Sequence, residues 1–246
     1  QNRHNEKFSG VTDVVGYNYL EARMLSDHKK FPERRFLVTE ELPYYCGAEG
    51  NIRSYDTNNP WNIIAENDFI AGGFLWTCTD YIGEAGWPSH GWPAGLFDIC
   101  MVEKPRAAFH RAMWNDEPIV RIAVRDNALD IDHGRDLWQW PNMAAIWNFP
   151  RAYEGLVIEV NTTTNCERVA LFHNGNEMGV RRTADYPNHT ITWCLPYRRG
   201  TLVAKGINGT DTVAVHEIRT AGDAVRLKAT ADRGKLMADG QDLSYV

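Results

Sequence analysis

The residue of most chemical consequence in this chain is Glu40. It closes Arg35-Phe36-Leu37-Val38-Thr39-Glu40, a short apolar run that ends abruptly in a carboxylate. A charge at the end of a buried strand costs free energy unless it is hydrogen-bonded or put to use. Glu40 is therefore a capping or salt-bridged residue, or the working group of a site. Two further runs end in a similar change of character. Val11–Tyr19 finishes on Asn18 and Tyr19, and Gly72–Thr77 finishes on Trp76 and Thr77. In parallel α/β architectures such a switch marks the end of the sheet where active sites are built. Glu41 points the other way if its strand continues, because successive side chains alternate.

Those three runs imply the elements that hold them. Strand patterns at Val11–Tyr19, Arg35–Glu40 and Gly72–Cys78 are separated by a polar segment, Glu21–Lys30, and by a loop over 42–59. Pro60 suits the first turn of a helix, which Trp61, Ile64, Ala65 and Phe69 continue at helical spacing. A loop from Tyr81 to Gly95 precedes a last helix, Pro105–Trp114. Strand–helix alternation predicts parallel strands. Three parallel strands cannot close a barrel, so this half reads as the back end of a larger α/β unit. After Asn115 short strands and Asn-Gly turns take over, at Asn174-Gly175 and Asn208-Gly209, which predicts an antiparallel sandwich. A strand-like pattern starts again at 224–246.

With 43% hydrophobic and 24% charged residues the chain has ample material for a core. A net charge of −6 argues against a general nucleic-acid surface. The longest apolar stretch, Phe69–Cys78, is too short to span a bilayer, so no membrane partner is expected. The first ten residues are polar and hold no signal peptide, which leaves either a cytoplasmic protein or a start lying upstream; on the balance of the family named below, a periplasmic or extracellular place is favoured. Five cysteines fit no metal spacing; buried free thiols are the favoured reading, and Cys166 and Cys194 are the one pair worth checking for a disulfide. No metal and no cofactor are expected, since no zinc-ligand spacing and no Gly-rich phosphate loop are present.

Three segments resemble the last three barrel strands of glycoside hydrolase family 2. They are Asp13-Val14-Val15-Gly16-Tyr17-Asn18-Tyr19, Phe36-Leu37-Val38-Thr39-Glu40, and Gly72-Gly73-Phe74-Leu75-Trp76-Thr77 with Cys78-Thr79-Asp80-Tyr81. Arg168–Gly175 and Trp193–Leu202 are similar to parts of the β-sandwich that follows the barrel in bacterial members. The resemblance implies an α/β plus all-β chain: the last three βα units of a TIM (β/α)8 barrel over 1–115, an immunoglobulin-like β-sandwich over 116–222, and a truncated further β-domain over 223–246. It implies a retaining, β-galactosidase-like exo-glycosidase, in which one carboxyl group attacks the anomeric carbon and another serves as acid and base. Glu40 matches the nucleophile. Trp76 matches the floor under the sugar, and Tyr19 and Asn18 match positions beside the nucleophile. Asp80, Tyr81 and Glu84 bind sugar hydroxyls or order their loop. The partner is a carbohydrate substrate, and homo-oligomerisation stays open.

One departure stands out. The family's acid/base Glu follows an Asn well upstream of the nucleophile. Asn5-Glu6 is too close to the first strand, and Asn176-Glu177 falls in a sandwich hairpin. The chain is thus expected to be a fragment lacking the acid/base. The rival reading is a non-catalytic carbohydrate-binding or structural sandwich, which needs Trp138, Trp140 and Trp147 as an exposed platform; core packing is the favoured reading of these rings, and their exposure discriminates.

Overall fold

The three apolar runs form β1 (Val14–Asn18), β2 (Arg35–Glu41) and β3 (Ile70–Leu75), parallel and hydrogen-bonded in that order. The computed structural model describes residues 9–41, 60–88, 90–125, 143–186 and 189–245. Two strands differ in extent from the sequence pattern. The first begins at Val14 rather than Val11, and the third runs from Ile70 to Leu75, so Trp76 lies just beyond it.

The polar segment after β1 is a full helix, α1 (Glu21–Lys30). Its period is hidden because its buried positions are Glu21, Met24 and Asp27, two acids and one apolar residue. Asp27 is tolerated there because the Tyr17 hydroxyl donates to it at 2.5 Å and Arg23 lies 3.4 Å away. Together with α2 (Pro60–Ala65), this helix covers one face of the sheet. Val15, Tyr17, Phe36, Val38 and Ile70 from the strands pack there against Met24 and Ile64.

A β-bulge decides which way the two glutamates of β2 face. Val14 to Tyr17 pair in step with Arg35 to Val38, but Asn18 then pairs with Glu40, leaving Thr39 as an extra residue. Strict alternation after Phe36 and Val38 would send Glu40 under the helices. With one residue inserted, Glu41 takes the buried position and Glu40 stays half-buried at the strand end. Bulges re-aim side chains in this way. Gly16 makes room for it, since a Cβ there would meet the Thr39 Cγ2 at 2.9 Å.

Beyond β3 the chain folds into a two-strand ribbon, β4 (Tyr81–Ile82) with β5 (Gly91–Trp92), and then α3 (Pro105–Trp114), with the proline at its start as expected. Two antiparallel sheets follow. One holds β6 (Val120–Arg125), β7 (Met143–Ala144), β8 (Val157–Thr164) and β11 (Thr190–Pro196), in the order β11-β8-β6-β7. The other holds β9 (Arg168–His173), β10 (Asn176–Arg182), β12 (Thr201–Asn208) and β13 (Asp211–Arg219), in the order β10-β9-β12-β13. Val120, Ile122, Val160 and Trp193 from the first sheet share a core with Val169, Leu171, Leu202 and Ile218 from the second.

The first hairpin turns on Asn174-Gly175, both with positive φ, as a tight two-residue turn requires. The second turns one residue later than its sequence suggests, because Asn208 still pairs with Asp211. The thiols and Trp147 take the readings the sequence favours, and the tail is corrected. Cys166 and Cys194 are free thiols. Trp147 is fully buried, so it offers no platform to a ligand; Trp138 and Trp140 lie outside the described residues. No strand forms between 220 and 245. Val225 and Leu227 alternate like a strand but stand wholly in solvent, and apolar alternation without a partner strand buries nothing.

Candidate active site

The C-terminal ends of β1, β2 and β3 bring together five of the seven singled-out residues. At the end of β1 the chain turns through Tyr19, a non-glycine residue at φ 59°. Its backbone N–H donates to the Glu40 carbonyl at 2.9 Å, and its phenol donates to the Glu40 Oε2. Burial first, and then the bonded Glu40 carboxylate, push the Tyr19 phenol well above its ordinary pKa. It stays protonated and remains a donor. Tyr81 and Glu84 push in the same direction, so both stand within electrostatic reach of the same phenol.

Trp76 follows β3 directly. Its N–H donates to the Glu41 carbonyl at 2.8 Å, which ties the indole's backbone to the strand that carries Glu40. The Trp76–Thr77 peptide is cis. Tyr81 meets the indole edge-on, with ring centroids 6.1 Å apart, and donates to the Glu84 Oε2 at 2.5 Å. The bonded Glu84 raises the pKa of that phenol too. The outcome is a shallow group of two carboxylates, two phenols and one indole, all half-buried or exposed. Such a surface offers a flat apolar face flanked by fixed acceptors and donors.

The other two residues act one step back. Asn18 accepts a hydrogen bond from the bulged Thr39 at 2.5 Å, so it braces the residue before Glu40. Asp80 is engaged elsewhere. It takes the Lys104 ammonium at 2.7 Å and the Gly95 N–H at 2.8 Å, closing the loop between β3 and α3. Lys104 also donates to the Pro93 carbonyl at 2.9 Å. Lys104 and the bulge residue Thr39 were missed in the sequence. The Thr-Glu step at a strand end was visible, but nothing in it announces an extra residue. Among the described residues no group of three or more His, Cys, Asp or Glu side chains could hold a metal ion. Asn176-Glu177 starts β10, and Asn5-Glu6 lies outside the described residues.

Comparison with known proteins gives these residues a setting. A domain of unknown function, DUF4982, matches residues 155–214, from just before β8 into β13. The "Beta-galactosidase BoGH2A" of Bacteroides ovatus is 28% identical over 97% of this chain and 29% of that protein. A "Putative beta-glucuronidase" of Formosa agariphila is 30% identical over 61% of this chain and 13% of that protein. The solved structure of a glycosyl hydrolase family 2 member from Bacteroides cellulosilyticus aligns with a TM-score of 0.82 at 31% identity, over 97% of this chain and 32% of that one. The chain spans about a third of the length of relatives such as these.

Proposed function

Because this chain belongs to glycoside hydrolase family 2, we propose that it carries the nucleophile half of a retaining exo-β-glycosidase site. On this reading β1 to β3 are the last three strands of a (β/α)8 barrel occupying 1–115. The two antiparallel sheets are an immunoglobulin-like sandwich over 116–222, and 223–246 lead into a further domain. The substrate is a terminal β-glycoside, of the galactoside type named for the Bacteroides ovatus relative.

One observation carries the reading: the bulge at Thr39 turns Glu40 out of the helix-covered core and onto the Tyr19 phenol. Exposure spares any carboxylate the cost of desolvation, so it is the combination of access with the Tyr19 bond that favours a working role. A nucleophile needs both access and a held orientation. Bound sugar lies over the Trp76 indole with its hydroxyls toward Tyr81 and Glu84. A Glu40 oxygen donates an electron pair to the anomeric carbon as the glycosidic C–O bond breaks and the leaving oxygen takes a proton from the acid/base carboxyl. Water, deprotonated by that same group, then displaces Glu40 and restores the original anomeric configuration. Tyr19 holds the carboxylate in line for attack, which lowers the entropic part of the barrel site's task. The acid/base comes from outside these residues, since neither Asn-Glu pair of the chain fits its place.

The test is Glu40→Ala in the full-length protein. Hydrolysis of an aryl β-glycoside should fall by on the order of 10⁴–10⁶, the scale seen when catalytic nucleophiles are removed, with the thermal midpoint unchanged. Azide should then restore turnover and give the glycosyl azide of inverted configuration. Wild-type turnover in Glu40→Ala contradicts the assignment.

A further inference from the structure

Behind Glu40, on the helix-covered side of the sheet, lies a carboxyl group that the proposed reaction does not use. Glu41 is 1% exposed. It is wedged against Gly73, where an added Cβ would come within 3.0 Å of the Glu41 Oε2 and 2.9 Å of the Ile64 Cδ1. Glu21, in the first turn of α1, is 5% exposed, and its Oε1 has no hydrogen-bond partner. A carboxylate taken from water without a donor or a cation is relieved by binding a proton.

Among the described residues, the elements packed against it supply no such cation. From α1, Glu21 is the charge that acts on Glu41, while Asp27 and Arg23 are engaged with each other and with Tyr17 of β1, and His28 stacks on Phe69 and meets Phe36 edge-on. The residues of α2 and β3 carry no charge. On β2 itself, Glu40 faces Tyr19 and Arg35 stands at the far end. Burial, and after it the charge of Glu21, push Glu41 up to about 8, and burial raises Glu21 as well. The same residue tethers the site through its backbone, because its carbonyl accepts the Trp76 N–H.

We propose that Glu41 is a positioning residue for Glu40: buried as a neutral carboxylic acid against Gly73 beside Ile64, it fixes the end of β2 until hydroxide removes its proton. The effect on catalysis rests on Glu40 being the nucleophile, but the effect on stability does not. Folded Glu41 keeps its proton up to about 8, whereas the unfolded residue loses it near 4.5. Its stabilising contribution is therefore complete below 4.5, falls as pH rises between those values, and levels off above them.

The experiment follows the thermal midpoint and aryl-glycoside hydrolysis of the full-length protein across that window, for wild type, Glu41→Gln and Glu21→Gln. Glu41→Gln should match wild type at the acid end and gain on it steadily toward alkaline pH. The ratio of the two unfolding constants should grow by up to roughly tenfold per pH unit, and the alkaline limb of kcat should move to higher pH. Glu21→Gln removes the second carboxyl and should move the wild-type break to lower pH. A deficit of Glu41→Gln that is equal at every pH marks an ion-paired carboxylate and overturns the proposal. If Glu41→Gln does not fold, Glu21→Gln decides, and an unmoved break overturns it. A retained pH signature with full activity in Glu40→Ala would refute the nucleophile alone.

Discussion

The two kinds of sheet in this chain treat buried polar groups in opposite ways. In the antiparallel pair, the buried polar residues include Asn161, Thr162, Thr164 and His173, none of which carries an acid. Each is bonded: Asn161 to Glu159 and Thr192, Thr162 to the Trp193 indole, Thr164 to the Ile119 carbonyl, and His173 to the Arg198 carbonyl. Under the parallel sheet the buried polar residues include Glu21, Asp27 and Glu41, all acids, and Glu21 has an oxygen without a partner. A buried polar group that is neutral and satisfied specifies a core. A buried ionisable group short of partners is stability given up for something else, and such groups gather near working sites. The sandwich is built to hold; the strand ends beside it have the composition that the proposed site needs.

That contrast breaks most visibly in the sandwich core. Trp147 is fully buried, packs against Phe149, Tyr197 and His173, and donates to the Arg198 carbonyl at 3.0 Å. Trp147→Ala should cost about 3–5 kcal/mol of stability, measured by denaturant unfolding, with little change in kcat for the molecules that stay folded. Tyr19→Phe should do the reverse. Losing the phenol's bond to the Glu40 carboxylate should remove about 1.5–3 kcal/mol of transition-state stabilisation, read as a drop in kcat/KM with a nearly constant thermal midpoint. Trp76→Ala should have the smallest effect. Contacts between aromatic rings are worth on the order of 0.5–1.5 kcal/mol beyond area burial, and an indole under a sugar is expected to act on a similar scale, so KM should rise and kcat should fall modestly. Unchanged kinetics on every hydrolysed substrate would return Trp76 to a packing role and weaken the contrast.

How much of this the sequence discloses depends on how local the cause is. The helix at Pro105–Trp114 is legible to the residue, because a proline opens it and an Ala/Phe-rich face follows. So are the parallel order of three apolar runs and the turn at Asn174-Gly175. Glu40, Tyr19 and Trp76 stand out because residue type changes abruptly at a strand end. The helix at Glu21–Lys30 is illegible because acids occupy its inward positions, held there by Tyr17 from another element. The bulge at Thr39 is illegible because it exists only in pairing with β1. Asp80 reads equally as a substrate ligand or a loop-ordering residue until Lys104, 24 residues away in sequence, is seen to hold it. The tail from 224 misleads for the opposite reason: its alternation is local, and a strand is not.

Glu40 is proposed as the residue that bonds to sugar, and covalent labelling tests this directly. The full-length protein should be inactivated with an aryl 2-deoxy-2-fluoro-β-glycoside, digested, and the modified peptide sequenced by mass spectrometry. The account predicts a single fluoroglycosyl ester on Glu40. An ester on Glu41, which the bulge turns into the core, or on any residue outside β2, would contradict it.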